Sequence, residues 1–172
     1  MVIARALVLL CFFGAQPAFG AGAAPAVTEQ SFIDLFAGAW AGPGTLVKAA
    51  IPWRVTCRAT GQSSTNRLIV EGSCSLAIIN DRIAADIAYD PKTGLYSGTY
   101  IGAKVGPARV SGRRSGSVLS LAITWPHPVF GDTRARMTIV NTGGATFRLT
   151  IFDNIAPGGP EELTSDVVMT RL

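Results

Sequence analysis

From residue 40 to the end of the chain, apolar and polar side chains alternate with a period of two, and glycine punctuates the runs. Successive side chains of a strand point to opposite faces, so this rhythm predicts strands with one dry face. Ten are read, at 40–47, 53–60, 67–77, 83–90, 95–102, 108–114, 117–125, 134–141, 146–153 and 165–172. Leu68, Val70, Gly72, Cys74 and Leu76 share one face of the third strand, and Phe147, Leu149 and Ile151 one face of the ninth. In the seventh, Leu119, Leu121, Ile123 and Trp125 do the same. The opposite faces carry Arg109, Arg113, Arg136, Thr138, Arg148 and Thr150. "DPKTG" (90–94) sets a turn with Pro91 and ends on Gly94, while "RSG" (114–116) and "NTGG" (141–144) are short hairpin closures. A meander of this length closes on itself or folds into two packed sheets. The expected architecture is all-β: an antiparallel up-and-down barrel of about ten strands. Ahead of it, Thr28 can cap a short helix that places Phe32, Leu35 and Phe36 on one face.

The same alternation orients the cysteines. Antiparallel partners keep a constant sum, so pairing Cys57 with Cys74 sets Ala59 against Gly72 and Val55 against Leu76. All six then lie on the inner face, and the turn falls in the polar stretch "GQSSTNR" (61–67). A hairpin register and a Cys57–Cys74 disulfide are one expectation. Closing a loop of this order contributes about 3 kcal/mol.

The first twenty residues have a different character. Arg5 precedes the apolar run "ALVLLCFFGA" (6–15), and "AFG" (18–20) offers small residues at the positions a signal peptidase reads. We expect a signal peptide over 1–20, with cleavage after Gly20 and, as second choice, after Ala23. Leu10 stands before Cys11 where a lipobox wants Gly or Ala, which argues against a lipid anchor. Residues 21–30 read as a flexible leader and 31–172 as a single barrel domain. Cys57 and Cys74 then form an even pair, as an oxidising compartment favours, so the location read is periplasmic or secreted. The chain carries 15 Lys and Arg against 11 Asp and Glu, a mild excess that shrinks when Arg5 leaves. No basic run marks a nucleic-acid partner, and nothing after the signal is apolar for long enough to span a membrane as a helix. An outer-membrane barrel is disfavoured by short strands, arginine-rich second faces and the ending "TRL" (170–172).

Gly38-Ala39-Trp40 is a G-x-W at the start of the first strand, and Arg171 lies in the last. This resembles the calycin superfamily, which includes lipocalins, fatty-acid-binding proteins, avidins and nitrobindin-like barrels. The resemblance implies that Trp40 closes one barrel end with Arg171 across its ring, a cation–π contact worth about 0.5–2 kcal/mol. "WAGPG" (40–44) looks most like the W-x-G-x-G opening of the nitrobindin and fatty-acid-binding-like groups, which ten strands also fit. Two features depart from the superfamily's patterns. The mid-chain T-D-Y-like triplet of lipocalins is absent. Nitrobindin-like proteins ligate haem through a late histidine, whereas this chain has only His127, in "WPHPVFGD" (125–132).

Candidate chemistry is sparse. One histidine and no free cysteine in the exported form leave no catalytic residue to name, and no cluster has metal-ligand spacing. His127, between two prolines, reads as a rigid rim-loop residue. Asp86 and Asp90 share the outer face of the fourth strand, and "DNIAPGGPEEL" (153–163) reads as a long loop that gates a mouth or crosses the surface. Tyr89, Tyr96 and Tyr100 have inward parity with Gly98, and Trp125 points in too. The expected ligand-binding set is Tyr96, Tyr100, Leu121, Ile123 and Trp125, continuous with Leu68 and Val70. Small inner residues (Ala59, Gly72, Gly98 and Gly112) mean either interlocking or space. The first reading is an exported calycin-like barrel that binds a small apolar or amphiphilic ligand, without a cofactor. The alternative is a non-enzymatic envelope protein acting through its outer surface on a protein or envelope partner. A barrel enzyme of isomerase or cyclase type comes third. Oligomeric state is not read from these residues. Intact-mass measurement of the exported protein should give a chain beginning at Ala21; a retained Met1 or an acylated Cys11 would refute soluble export.

Overall fold

A polar cap begins the folded chain. Thr28 Oγ1 accepts from the Ser31 amide at 3.1 Å and starts helix α1 (Glu29–Asp34), whose Phe32 and Ile33 are buried. The computed structural model describes residues 28–48 and 50–172. The expected signal peptide and the leader as far as Val27 lie outside the described residues. Thr28, Glu29 and Gln30, assigned to that leader, belong to the folded unit: Gln30 Oε1 accepts from the Asn66 amide at 2.8 Å.

Ten strands follow, joined in sequence as a meander: β1 (Gly38–Lys48), β2 (Ile51–Ser64), β3 (Arg67–Leu76), β4 (Ile79–Asp90), β5 (Leu95–Ile101), β6 (Ala108–Ser115), β7 (Val118–Val129), β8 (Asp132–Val140), β9 (Thr146–Asn154) and β10 (Glu161–Arg171). Every neighbouring pair is antiparallel, and β10 pairs back onto β1, so the sheet is a closed barrel. Closure removes both sheet edges and lets the inward side chains form one interior.

The β2–β3 ladder opposes Cys57 to Cys74 and Ala59 to Gly72, and the two sulfurs are bonded. It begins at Thr56 and Ser75, one pair short of Val55 and Leu76. Several boundaries differ from the expected ones, three of them at turns and loops. Pairing of β2 with β3 continues to Ser64 and Arg67, so the turn is Thr65-Asn66 rather than 61–67, with Asn66 at φ 57°. Asparagine tolerates that left-handed conformation. The expected rim loop 125–132 is mostly strand. β7 runs to Val129 before a tight turn at Phe130 and Gly131, and its ladder with β8 is interrupted between Thr124 and Val129, where Pro126 and Pro128 have no amide to give. β10 starts at Glu161, which shortens the expected 153–163 loop to 155–160.

The helix end of the barrel is filled and cross-tied. Arg171, directly opposite Trp40 in the β1–β10 ladder, lays its guanidinium over the indole at 4.4 Å from the ring centroid. Its Nη2 donates to the Leu35 carbonyl at 2.8 Å and its Nη1 to the Ala37 carbonyl, at the C-terminal end of α1. Those carbonyls lack helical partners, and a cation there also suits the helix dipole. Trp40 Nε1 donates to the Phe36 carbonyl at 3.0 Å, and its ring meets Phe147 edge-on at 4.8 Å. On the far side of the helix, Arg114 Nε and Nη2 reach the two oxygens of Glu29, each at 2.8 Å. The Tyr96 hydroxyl donates to the same carboxylate. The Arg114 guanidinium holds the Glu29 carboxyl below its ordinary range.

The inward glycines are corners rather than voids. A Cβ placed on Gly72, Gly98 or Gly112 would lie 2.2, 1.9 or 1.8 Å from the carbonyl oxygen of Arg58, Asp86 or Ser120. The neighbouring backbone occupies the space a side chain would need, so the sheet bends sharply there. The seam has a related device. Gly42 admits the Val168 carbonyl, 1.8 Å from where a Cβ would stand, beside Pro43, which has no ladder donor. Trp40→Ala removes the floor of this end and should destabilise the fold by about 3–5 kcal/mol in denaturant unfolding. A loss below about 1 kcal/mol would show that the seam closes without the indole.

Candidate functional site

Among the described residues, none plugs the end opposite α1. Inside it lies a cavity of about 430 Å³ walled largely by apolar side chains, among them Leu46, Leu68, Val70, Ile83, Ile87 and Leu149. Phe36 and Phe147, edge-on at 5.3 Å, are among its lining residues and belong to the packed end. The Cys57–Cys74 disulfide forms part of the wall. The cavity reaches the surface beside Lys48 and Lys104, whose side chains are 41% and 72% exposed.

Of the five side chains expected to bind a ligand, the structure brings two to this space. Tyr100 and Trp125 both line it, their ring centroids 6.1 Å apart. Burial pushes the Tyr100 phenol up to about 12, so the hydroxyl stays neutral and able to donate. Tyr96, Leu121 and Ile123 are elsewhere. Tyr96 is spent on Glu29 at the helix end, and Leu121 and Ile123 are core residues, each 1% exposed. The physical reason is the glycine corner. With backbone closing in at Gly98 and Gly112, Val110, Leu121 and Ile123 are packed into the core, and β6 contributes no side chain to the cavity lining. The lining comes mostly from β1–β4 and β8–β10, with Tyr100 of β5 and Trp125 and Val129 of β7.

Two carboxyls face into the cavity, and neither was among the expected candidates. Asp81, near the start of β4, is shared by two ammonium groups: it pairs with Lys48 of β1 and lies 2.8 Å from Nζ of Lys104, in the β5–β6 loop. Lys104 and Lys48, in that order, hold its carboxyl below the ordinary range. Asp153, at the end of β9, is 1% exposed. Its Oδ2 accepts from Trp125 Nε1 at 3.1 Å and its Oδ1 from the Asn154 amide at 2.8 Å. Burial outweighs these two donors and pushes its carboxyl up to about 6. Both were legible in principle: Asp153 continues the inward parity of Phe147, Leu149 and Ile151, and Asp81 that of Ile83, Ala85 and Ile87. The strand limits read from the sequence ended one of these strands at Asp153 and began the other after Asp81.

The remaining candidates lie outside this space. Asp86 makes a two-point ion pair with Arg67 on the outer face, at 2.8 and 2.6 Å. Asp90 caps the β4–β5 turn, accepting from the Lys92 amide and the Thr93 hydroxyl, each at 2.9 Å. His127 is exposed and does not line the cavity. Among the described residues, no three His, Cys, Asp or Glu side chains gather in a group able to hold a metal ion.

Comparison with known proteins adds to the geometry at the level of architecture. The crystal structure of Rv2717c from M. tuberculosis superposes on this chain with a TM-score of 0.62, covering 86% of this chain and 99% of that one at 13% identity. The two share a fold. No family model and no curated protein matches the sequence.

Asp153 supplies a titration signal beside an indole. Its raised carboxyl makes its contribution to stability complete below the ordinary value of 3.8 and lost as pH rises through about 6, because ionisation costs the folded state. Trp125 emission should therefore change with a midpoint near pH 6, and the change should vanish in Asp153→Asn. A flat wild-type trace across that range would contradict the buried placement of the carboxyl.

Proposed function

We propose that this protein is an exported, calycin-like carrier that takes a small apolar or amphiphilic molecule into the barrel through the end opposite α1. The observation that carries the reading is the apolar space of about 430 Å³, a size typical of small-molecule sites, with few polar groups placed near its mouth. Tyr100 and Trp125 are the wall residues positioned to meet a guest, Tyr100 through a neutral hydroxyl and Trp125 through its ring face. Tyr96, Leu121 and Ile123 are buried in the core and do not line the space. Export draws on the N-terminal apolar run and on the disulfide, which persists in oxidising compartments. Among the described residues, no helix is long and apolar enough to cross a membrane.

A second reading, action through the outer surface on an envelope partner, draws on exposed apolar residues at the open end. Ile51, Trp53, Ile78 and Ile79 are 54%, 41%, 99% and 46% exposed there. Apolar side chains this exposed, gathered at one end, mark contact surfaces more often than solvent faces.

The two readings separate in one experiment. The neutral dye Nile red should bind the purified protein and be displaced by small aromatics and straight-chain alcohols. Ala103→Trp, which fills the cavity from its loop, should abolish dye binding at unchanged circular dichroism. Absence of dye binding, together with no retained ligand in native mass spectrometry of protein isolated from its own envelope, would discard the carrier reading and leave the outer surface.

A further inference from the structure

Two hairpins project from the open end. β1 pairs with β2 as far as Lys48 and Ile51, past the last β1–β10 pair at Leu46 and Ser165 and the last β2–β3 pair at Thr56 and Ser75. Its tip therefore stands clear of both neighbouring strands. The adjoining β3–β4 hairpin runs to Leu76 and Ile79. Together the two tips present Ile51, Trp53, Ile78 and Ile79, all exposed, and Ile78 at 99% exposure buries nothing of the barrel.

Turn geometry does not ask for these side chains. Ala50 and Ala77 sit at φ 60° and 51°, the left-handed region where an L side chain is strained and Gly, Asn or Asp is favoured. The four turns at the α1 end meet the same demand with Asn66, Gly94, Gly116 and Gly143. At the open end apolar residues hold such positions at a conformational cost. Neither the alanines nor Ile78 serve the fold, so the reason for their apolarity lies outside the molecule. Charge in this sector is positive. Lys104, in the β5–β6 loop, and Arg54, next to Trp53 on β2, are exposed. The stretches 48–51, 76–79 and 102–107 hold no acid. Asp81, just beyond the β3–β4 turn, faces inward between Lys48 and Lys104. Asp132, Glu161 and Glu162 stand on β8 and β10, outside the two hairpins.

We propose that this rim docks on a phospholipid bilayer bearing anionic headgroups. Ile51, Trp53, Ile78 and Ile79 enter the boundary between headgroups and acyl chains, while Lys104 and Arg54 meet the phosphates. This rests on the second reading above and names its partner. Apolar area buried at the interface and attraction of basic side chains to anionic lipid add together in such docking. An indole is suited to that depth, with its ring among acyl chains and its N–H among headgroups. Lipid flows around separate projecting tips, whereas a protein partner must supply a shaped pocket for each.

The test mixes the exported protein with vesicles of phosphatidylcholine, alone or with phosphatidylglycerol, and reads the bound share by sedimentation. Partition should be stronger on the anionic vesicles and should fall with added salt. Ile78→Asp should weaken it about tenfold or more on both, at unchanged circular dichroism, since so exposed a side chain packs against nothing. Lys104→Gln should weaken it about fivefold on the anionic vesicles alone. Brominated acyl chains should quench Trp53, and Trp53→Phe should remove that quenching, because Trp40 and Trp125 are buried in the barrel. Partition indifferent to Ile78→Asp, or no partition onto either vesicle, would overturn the bilayer assignment. A photoreactive benzophenone side chain in place of Ile78, photolysed in the intact envelope, separates that failure from failure of the second reading. A lipid adduct supports the proposal. A protein adduct, partner or second copy, overturns it and keeps the surface reading; no adduct overturns both.

Discussion

Arg171 joins three parts of the chain that would otherwise have no reason to stay together. Its backbone is in the last strand, its guanidinium lies over Trp40 in the first, and its N–H groups take the Leu35 and Ala37 carbonyls at the end of α1. An open ten-strand sheet would expose two unpaired edges, and the β1–β10 seam is the only place where this meander can dispose of them. That seam is weakened in the middle, where Pro43 offers no donor, so the contacts at its helix end carry more of the closure. The charge on Arg171 therefore serves packing: a flat cation covers an indole face and terminates a helix at once.

Everything at that end is consequently dry and filled, and this decides where space can exist. The helix pushes Phe32, Ile33 and Phe36 into the barrel, and Glu29 is pinned by Arg114 and Tyr96. A ten-strand barrel is wider than its side chains can fill unless something intrudes. Here the helix occupies one end and the glycine corners at Gly98 and Gly112 draw in one wall, so the unfilled volume is left towards the opposite end. The cavity is the remainder of a packing problem solved elsewhere. Its polar groups, Asp81 with its two lysines and Asp153 with Trp125, collect where strands run out and burial is incomplete.

Burial explains why the two inward carboxyls behave differently. Asp81 has cations on it and stays ionised, while Asp153 has only N–H donors and is held part-way to neutrality by desolvation. The same residue type on the same inner surface is a strap in one case and a titratable group in the other. What separates them is whether a lysine can reach.

The architecture was written in the chain itself. Period-two alternation, turn chemistry and the matched parity of Cys57 and Cys74 determined ten antiparallel strands and one hairpin register, because those signals are local or join neighbouring strands. The G-x-W opening with a distant arginine pointed to the Trp40–Arg171 contact, since a rule about barrel ends links the two termini. The cavity wall was only half legible. Inward parity says that Tyr96, Leu121 and Ile123 face the interior, but not whether the interior at their height is packed or empty. That was decided by close backbone approach at glycines and by a helix inserted from outside the sheet, neither of which alternates with a period of two. Asp81 and Asp153 were missed for a related reason: polar residues at strand ends look like loop. Only the partners across the barrel, Lys48, Lys104 and Trp125, give an inward carboxylate a reason to be there, and those partners meet it through the fold alone.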